Sequence, residues 1–468
     1  MSVKKGERLE LTVEKTVFGG DGLCRVDGMA VFIEGAVPGD RVEALITRRK
    51  KDWATGRVMA LLDPSPDRVP APCPYVGVCG GCKWQFLDYA RQLEYKRDQV
   101  REALEHIGGL KDVPVGDTLA SDQIFGYRNK MEFSCATRRW LMPEELTAAG
   151  GPGHGEGPDF ACGLHIPGCF DKVLDVDACL LQHEEGNLIL PYLKEKMKAS
   201  GLPAYGLKSH QGFWRFVMMR RSRAFGSWMV NLVTSSRNSD VLVPMARDLT
   251  RKFPTIVSVV NNVTDRRAQV SSGGSEDILF GQPVLMDQLG RFDFAVSANS
   301  FFQTNPQQAE RLYDVAACFA GLDGGQKVLD LYCGIGSIAL WVSDKASKVL
   351  GLEVVKDAVM DARQNVKRNG VKNCRFEAAD IKDAIGGLDF KPDVVITDPP
   401  RSGMHPDVTD RLCSLAAPVL VYVSCNPATL ARDLAVLSRV YDVEKVQPVD
   451  MFPHTFHVEC VARLVRRS

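Results

Sequence analysis

The chain has no net charge to spend on a partner. Over 468 residues, 58 Lys plus Arg stand against 58 Asp plus Glu, so total charge gives no sign of nucleic acid or an anionic membrane, and any basic face must be local. There is no stretch of ~18 consecutive apolar residues, so a helical membrane span is excluded. The start, Met1-Ser2-Val3-Lys4-Lys5-Gly6, turns polar at once and lacks the apolar core of a secretory leader. No internal repeat is visible. These absences lead to the expectation of a cytoplasmic protein away from membranes, monomeric by default. Its 45% apolar and 25% charged residues are those of a globular chain too long for one core, so two or three domains are expected.

What the chain has in quantity is cysteine, 14 residues. In a reducing compartment, clustered cysteines indicate metal or catalysis rather than disulfides. Cys73, Cys79 and Cys82 form such a cluster, as Cys73-x5-Cys79-Gly80-Gly81-Cys82. Thiolate-only ligation suits an iron–sulfur cluster or zinc, and spacing alone leaves both open. Cys162, Cys169 and Cys179 are the candidates for a fourth ligand. Cys24, Cys135, Cys318 and Cys374 lie in apolar surroundings and read as packing residues.

Residues 3–62 alternate short apolar runs with turn clusters such as Gly19-Gly20-Asp21-Gly22, the pattern of a small closed barrel of the OB type. Arg48-Arg49-Lys50-Lys51 followed by Trp53 suits a phosphate backbone with a stacking ring beside it; a solvated turn is the plainer reading. The proline-rich stretch 63–72 reads as a linker. Asp88 caps an expected helix to about Ile107, with Leu93, Val100, Leu104 and Ile107 on one face and Gly108-Gly109 as the stop. Residues 113–295 are a less regular mix of strands. There Gly126-Tyr127-Arg128-Asn129-Lys130, Arg138-Arg139-Trp140 and Trp214-Arg215-Phe216 onward to Arg223 interleave cations with rings, the composition of a surface that stacks bases and neutralises phosphates. Residues 147–158, rich in Gly and Pro, read as a loop.

From about 327 the pattern becomes continuous apolar runs alternating with helices. Lys327-Val328-Leu329-Asp330-Leu331-Tyr332, Val349 to Glu353, Val394 to Asp398 and Val419 to Ser424 read as parallel strands covered on both faces. Ligands bind such sheets at the carboxyl ends of the strands, where Asp330, Glu353, Asp398 and Cys425 fall. Gly334-Ile335-Gly336-Ser337-Ile338-Ala339 with Glu353 downstream also satisfies a dinucleotide fingerprint. Asp330 weighs against that: a carboxylate at this strand end repels a pyrophosphate but accepts from the ammonium of a methionine moiety. With Asp380 and Asp398-Pro399-Pro400 closing later strands, S-adenosylmethionine is the expected cofactor and Glu353 the partner of its ribose.

Asp398-Pro399-Pro400 resembles the motif of amino-group methylases, but Arg401 stands where their aromatic residue would be. Cys425, in Ser424-Cys425-Asn426-Pro427, offers other chemistry. Carbon 5 of a pyrimidine is a poor nucleophile, and a thiolate adding to carbon 6 makes it an enolate able to attack a methyl donor. A base must then remove the carbon 5 proton. Asn426 as helix cap and Pro427 at the first helical position place Cys425 at a helix N-terminus, which favours the thiolate.

With these motifs in place the chain resembles the RNA 5-methyluridine (uracil-5-) methyltransferase family, specifically its iron–sulfur 23S ribosomal RNA branch. Phe301-Phe302-Gln303, Asp398-Pro399-Pro400-Arg401, Ser424-Cys425-Asn426-Pro427 and Met451-Phe452-Pro453-His454-Thr455 carry the likeness, nearly end to end. The resemblance implies a multidomain α/β protein: an OB-like TRAM RNA-binding barrel over 1–62, a mixed α+β central domain with an iron–sulfur cluster over 63–295, and a doubly wound, Rossmann-like class I methyltransferase domain over 296–468, with the helix near 88–108 packed on the last. It implies Cys73, Cys79, Cys82 and Cys179 as [4Fe-4S] ligands, with Cys169 as runner-up for the fourth. Cys425 becomes the nucleophile, Glu459 the base and Asp398 a contact to the uracil edge. Gln303, Glu353 and Asp380 hold the cofactor, with Asp330, Tyr332, Gly334 and Asp398 beside it. The implied partner is RNA, ribosomal before transfer RNA; a non-catalytic iron–sulfur RNA-binding protein is the reading from another class.

Overall fold

The N-terminal region folds into six strands, β1 (Arg8–Thr12), β2 (Lys15–Thr16), β3 (Gly22–Val26), β4 (Met29–Glu34), β5 (Arg41–Arg49) and β6 (Trp53–Asp63). This computed structural model describes residues 3–142, 145, 160–169, 171–267, 271 and 274–467, so the expected loop at 147–158 lies outside the described residues. The six strands form one sheet in the order β1-β5-β6-β4-β3-β2, curled round Leu11, Val31, Ile33, Val42, Ala44 and Ile46. Arg48 lies over the Trp53 ring at 5.3 Å. The linker after β6 is fastened: buried Asp40 accepts from Ser65 N at 2.9 Å and from Arg68 Nε and Nη2 at 2.7 Å each.

Helix α1 (Tyr89–His106) starts as expected, with the Asp88 side chain accepting from Ala90 and Arg91 N–H. Its buried face differs from the apolar stripe read in the sequence. Val100 and Leu104 are buried, but Ile107 is 53% exposed, and Gln92, Lys96 and Gln99 point inward. They do so because polar partners wait there: Asp450 for Lys96, the His454 backbone for Gln92, and Thr16 Oγ1 for Gln99. Val100 and Leu104 share a core with Leu329, Leu331 and Tyr422 of the C-terminal sheet, so α1 packs on that sheet.

The middle of the chain builds an eight-stranded sheet from β7 (Lys130–Ala136), β8 (Arg139–Trp140), β9 (Ala161–His165), β10 (Val173–Leu174), β11 (Trp214–Arg221), β12 (Trp228–Thr234), β13 (Ile256–Val263) and β14 (Ser275–Gly281), with α2 (Gly186–Ala199) and α3 (Ser239–Lys252). Part of the expected RNA surface lies inside, while Arg138 and Arg223 are exposed and Arg139 and Trp140 half-buried. β11 is central and Trp214, Arg215 and Phe216 are buried, Arg215 stacking on Tyr205 at 4.3 Å and donating to Thr264 O at 3.0 Å. Tyr127 and Asn129 are likewise interior. Alternating cations and rings served inward wiring here, a pattern sequence composition does not separate from a binding face. Of the expected packing cysteines, Cys24 and Cys135 are buried and Cys374 half-buried, while Cys318 is exposed.

A hairpin, β15 (Val284–Leu289) and β16 (Phe292–Ser297), leads to α4 (Pro306–Ala320) and the C-terminal sheet. That sheet comprises β17 (Lys327–Leu331), β18 (Lys348–Glu353), β19 (Cys374–Ala378), β20 (Val394–Thr397), β21 (Val419–Ser424), β22 (Tyr441–Val449) and β23 (Glu459–Arg466). Between them run α5 (Ser337–Val342), α6 (Lys356–Arg368), α7 (Ile381–Ala384), α8 (Pro406–Leu415) and α9 (Pro427–Leu437). The order is β19-β18-β17-β20-β21-β23-β22, parallel except for β23, which is antiparallel to both neighbours. Successive residues feed opposite faces: Val328 joins the core on one side and Leu329 that on the other. This is the doubly wound class I methyltransferase architecture, in a multidomain α/β chain. Among the described residues no helix is long and apolar enough to cross a membrane.

Candidate active site

The glycine turn after β17 forms the first half of the site. Gly334 (φ +53°) would carry a Cβ into open space, leaving room for a ligand to approach its backbone. Gly336 (φ +84°) is there for packing, since a Cβ would lie 2.7 Å from Phe376 Cζ. Glu353, ending β18, fixes the turn by accepting from Gly334 N at 3.2 Å and Val355 N at 2.9 Å. Asp330 is fully buried, and neither of its oxygens makes a well-aligned hydrogen bond among the described residues. Desolvation, then Asp398 and Glu353, push its carboxyl well above the usual range, with the Ala339 amide opposing. An orphaned buried carboxylate beside an open glycine fits a cationic ligand group such as an amino-acid ammonium. Asp380 caps α7 at the outer rim, accepting from Lys382 N at 3.2 Å, and Tyr332 (φ +59°) stands near Asp380 and Glu353. Gln303 is buried, its carbonyl accepting from Asn129 Nδ2 at 3.1 Å.

The second half gathers where β20, β21 and β23 end. Cys425 is half-buried and shares its surroundings with Glu459, Asp398 and Arg401. Burial, then the Glu459 and Asp398 carboxylates, push its thiol up to about 11, while the Arg401 guanidinium pulls the other way. Glu459, 5% exposed, is held well above the usual carboxylate range by desolvation and Asp398, again opposed by Arg401. Desolvation brings Asp398 up to about 7. The α9 N-terminus is built as expected, Asn426 accepting from Ala428 N at 3.0 Å. Burial and two carboxylates push the thiol up, against the direction in which the helix cap acts.

Residues 450–458 lead into Glu459 and are gripped from several sides. Asp450 Oδ1 pairs with Lys96 Nζ at 2.5 Å, both side chains wholly buried, and Asp450 Oδ2 accepts from Tyr89 OH at 2.8 Å. Tyr127 OH donates to Pro453 O and Asn305 Nδ2 to Met451 O, each at 3.1 Å. Phe456 meets Phe18 of the barrel edge-on at 5.6 Å, and His457 Nε2 lies 3.5 Å from Arg401 Nη2.

Away from this cleft, Cys73, Cys79, Cys82 and Cys179 line one mostly apolar cavity with Tyr75, Met131, Leu164 and Arg128. Cys169 is not in that lining; its thiol turns to Asp171 Oδ1 at 3.5 Å. Among the described residues no three or more His, Cys, Asp or Glu side chains come close enough to hold a single metal ion. Four thiols lining one cavity are a donor set that zinc or an iron–sulfur cluster can use. Arg128, whose Nε lacks a partner, supplies a buried positive charge beside Cys82 and Cys179.

Residues 2–59 match the TRAM domain and residues 282–467 match the tRNA (Uracil-5-)-methyltransferase family. An RNA methyltransferase of Chlorobaculum tepidum is 40% identical over 98% of this chain and 96% of its own length. One from Porphyromonas gingivalis is 40% identical over 96% and 98%. The chain belongs to the RNA uracil-5-methyltransferase family. A solved family structure, the Pyrococcus abyssi tRNA (uracil-54, C5)-methyltransferase in complex with S-adenosyl-L-homocysteine, is 29% identical, with TM-score 0.74, covering 98% of this chain and 100% of that one. Two residues that the structure brings to this site had no role assigned from the sequence. Arg401 entered there as the missing aromatic and as part of the Asp398-Pro399-Pro400-Arg401 motif, with no role of its own. Tyr313, fully buried on α4 beside Gln303, Ser337, Asp398 and Asp330, gave no signal, being one ring in an amphipathic helix.

Proposed function

We propose that this enzyme methylates carbon 5 of a uridine in RNA, using Cys425 as nucleophile and Glu459 as base. The observation that carries this reading is the convergence of a thiol, two buried carboxyls and a guanidinium beside the glycine cradle. Cys425 Sγ bonds to carbon 6 of the uracil, and the displaced π electrons move onto the carbonyl at carbon 4. S-adenosylmethionine, when bound, supplies the electrophilic methyl group that carbon 5 takes up. Glu353, Gln303 and Asp380, with Tyr332 and Gly334, are the residues that would hold it, and Asp330 would meet its ammonium. Glu459 then removes the carbon 5 proton, the carbon 5–carbon 6 double bond re-forms and the Cys425 thiolate leaves. Asp398, protonated below about pH 7, would hydrogen-bond the uracil edge. Two buried acids and a thiol do not all ionise together in one cleft, so Arg401 is the group that lets Cys425 and Glu459 act as anions.

For the cysteine cavity we infer a [4Fe-4S] cluster on Cys73, Cys79, Cys82 and Cys179, with Arg128 facing its negative charge and no step of methyl transfer routed through it. Iron and sulfide analysis of protein purified without oxygen checks this: Cys79→Ser should lose both, whereas zinc in the wild type would reject the cluster. Proposed as substrate is a uridine of 23S ribosomal RNA, met in the cytoplasm by a monomer. Transfer RNA is the second reading, favoured by the whole-chain likeness to the Pyrococcus abyssi enzyme. RNA carrying 5-fluorouridine should trap a covalent adduct that Cys425→Ala abolishes; an adduct surviving that change sinks the mechanism. Mapping 5-methyluridine in ribosomal and transfer RNA with and without the protein separates the two targets.

A further inference from the structure

Where β7 begins and β11 ends, behind the segment that leads from β16 to Gln303, Lys130, Arg220 and Asn231 line a cavity of about 10 Å³ walled by Met218, Met219, Met229 and Ala298. Arg220 is 4% exposed; its Nη2 donates to Ser300 O at 2.8 Å, and its Nη1 has no partner. Lys130 forms no ion pair among the described residues. The carboxylate that acts on it, Glu132, is exposed and accepts from Ser271 Oγ at 2.7 Å. Asn231 Oδ1 also lacks a donor, and its amide can turn to present N–H instead. Asp287 acts on Arg220 only at a distance, its Oδ1 being taken by Ser222, Ala224 and Gln288.

Two cations thus sit side by side without a contacting anion among the described residues, unlike the buried Lys96, which pairs with Asp450. Burial and the Arg220 charge bring Lys130 down to about 8. Unpaired buried charge is strongly destabilising, and a fold carries it where a ligand supplies the counter-charge. A space of about one water-sized sphere admits one oxygen atom and excludes a base or a methyl group. The position is pertinent, because Arg220 holds the Ser300 carbonyl and Asn129 the Gln303 carbonyl, on either side of Phe301, which is 69% exposed.

We propose that this notch receives a non-bridging oxygen of an RNA phosphate close to the target uridine, with Lys130 at its mouth and Arg220 at its base. The proposal rests on the reading of the protein as an RNA enzyme, and deepens it by assigning a backbone contact on the central sheet. The test uses full-length protein and a fluorescein-labelled RNA hairpin with uridines in its loop, titrated across KCl concentrations. Lys130→Met should weaken binding about tenfold at low salt and reduce the salt slope by about 0.7–1. S-adenosylmethionine affinity should stay unchanged and the melting temperature unchanged or higher, and Lys130→Arg should keep most of the binding. Unchanged RNA affinity and slope would mean that the cavity holds only a structural water, and would overturn the proposal. So would a loss confined to S-adenosylmethionine affinity, which would assign the cations to the cofactor's carboxylate. Wild-type protein that binds the hairpin but transfers no methyl group would sink the methyltransferase reading and leave the notch standing.

Discussion

Replacing Arg401 by methionine isolates the electrostatics of the nucleophile. The Arg401 backbone carbonyl accepts from Asn426 Nδ2 at 3.1 Å and Thr429 Oγ1 at 3.3 Å, and both bonds survive the change. Its side chain faces Cys425 and Glu459, where it is the charge favouring the anion of each. A hydrogen bond to a charged group contributes about 1.5–3 kcal/mol. Arg401 is exposed, so water screens it and the lower figure applies, equivalent to about one pKa unit. Removing a positive charge disfavours both anions, so both groups titrate higher and the rising limb of the pH–rate profile moves to alkaline pH. Near pH 7.5 kcat/KM should fall about 10–100-fold, depending on whether one or both deprotonations limit the rate, and the deficit should narrow towards pH 10. Tritiated methyl transfer between pH 6 and 10 measures the profile, and pH-dependent alkylation of the Cys425 peptide, read by mass spectrometry, measures the thiol alone. A loss that is the same at every pH, with an unshifted alkylation curve, would show that Arg401 acts on RNA and not on the thiol, refuting the reasoning.

Lys96→Met leaves Asp450 buried without its cation and should cost about 3–5 kcal/mol in urea unfolding; a loss under 1 kcal/mol would mean that Tyr89 and the backbone suffice. Gly336→Ala forces a Cβ against Phe376 at a positive φ and should cost about 1–3 kcal/mol in urea unfolding; an unchanged midpoint would contradict the packing role. Asp398 holds its proton to about pH 7 in the fold but only to about 3.9 when unfolded. Its contribution to stability is therefore complete below pH 4 and lost as pH rises through 7. Urea midpoints at pH 5 and 8 should fall less with Asp398→Asn than in the wild type, and equal slopes would count against a raised Asp398.

The C-terminal sheet was legible because strands covered on both faces leave continuous apolar runs; β21 ends at Ser424 as read, and β17 one residue before the reading. The barrel was legible from alternation and turn glycines. The central domain was not, since much of its cation–ring runs lies inside the sheet, and the inward face of α1 is polar, which no hydrophobic stripe announces. Glu459 had no signal of its own: a lone carboxylate near a chain end is ordinarily solvated, and only a neighbouring loop held by other domains buries it. Spacing grouped three cysteines but left the fourth open; the shared cavity brings Cys179 to them and leaves Cys169 with Asp171.

That loop explains why the chain needs its three parts together. Glu459 begins β23, yet what sets its carboxyl against Cys425 is the course of residues 450–458, which contacts from outside the C-terminal domain hold together with Asn305 and Gln308 within it. Helix α1 contributes the buried Lys96 and Tyr89 and, through Gln92 Oε1, accepts from His454 N at 2.9 Å. The barrel packs Gly20 against Phe456, where a Cβ would lie 3.3 Å from that ring, and Trp84 ties the two by donating from Nε1 to Gly20 O and from N to His454 O. His454 itself adopts φ +67°, a conformation a non-glycine residue keeps only when its surroundings over-determine it. The barrel and α1 therefore bear on the candidate site: through Phe456 and His457 they reach Arg401, a cation acting on both Cys425 and Glu459. The proposed base thus has a geometry that depends on all three parts of the chain, which ties the proposed methyl-transfer step to the contacts that join the barrel to the C-terminal sheet.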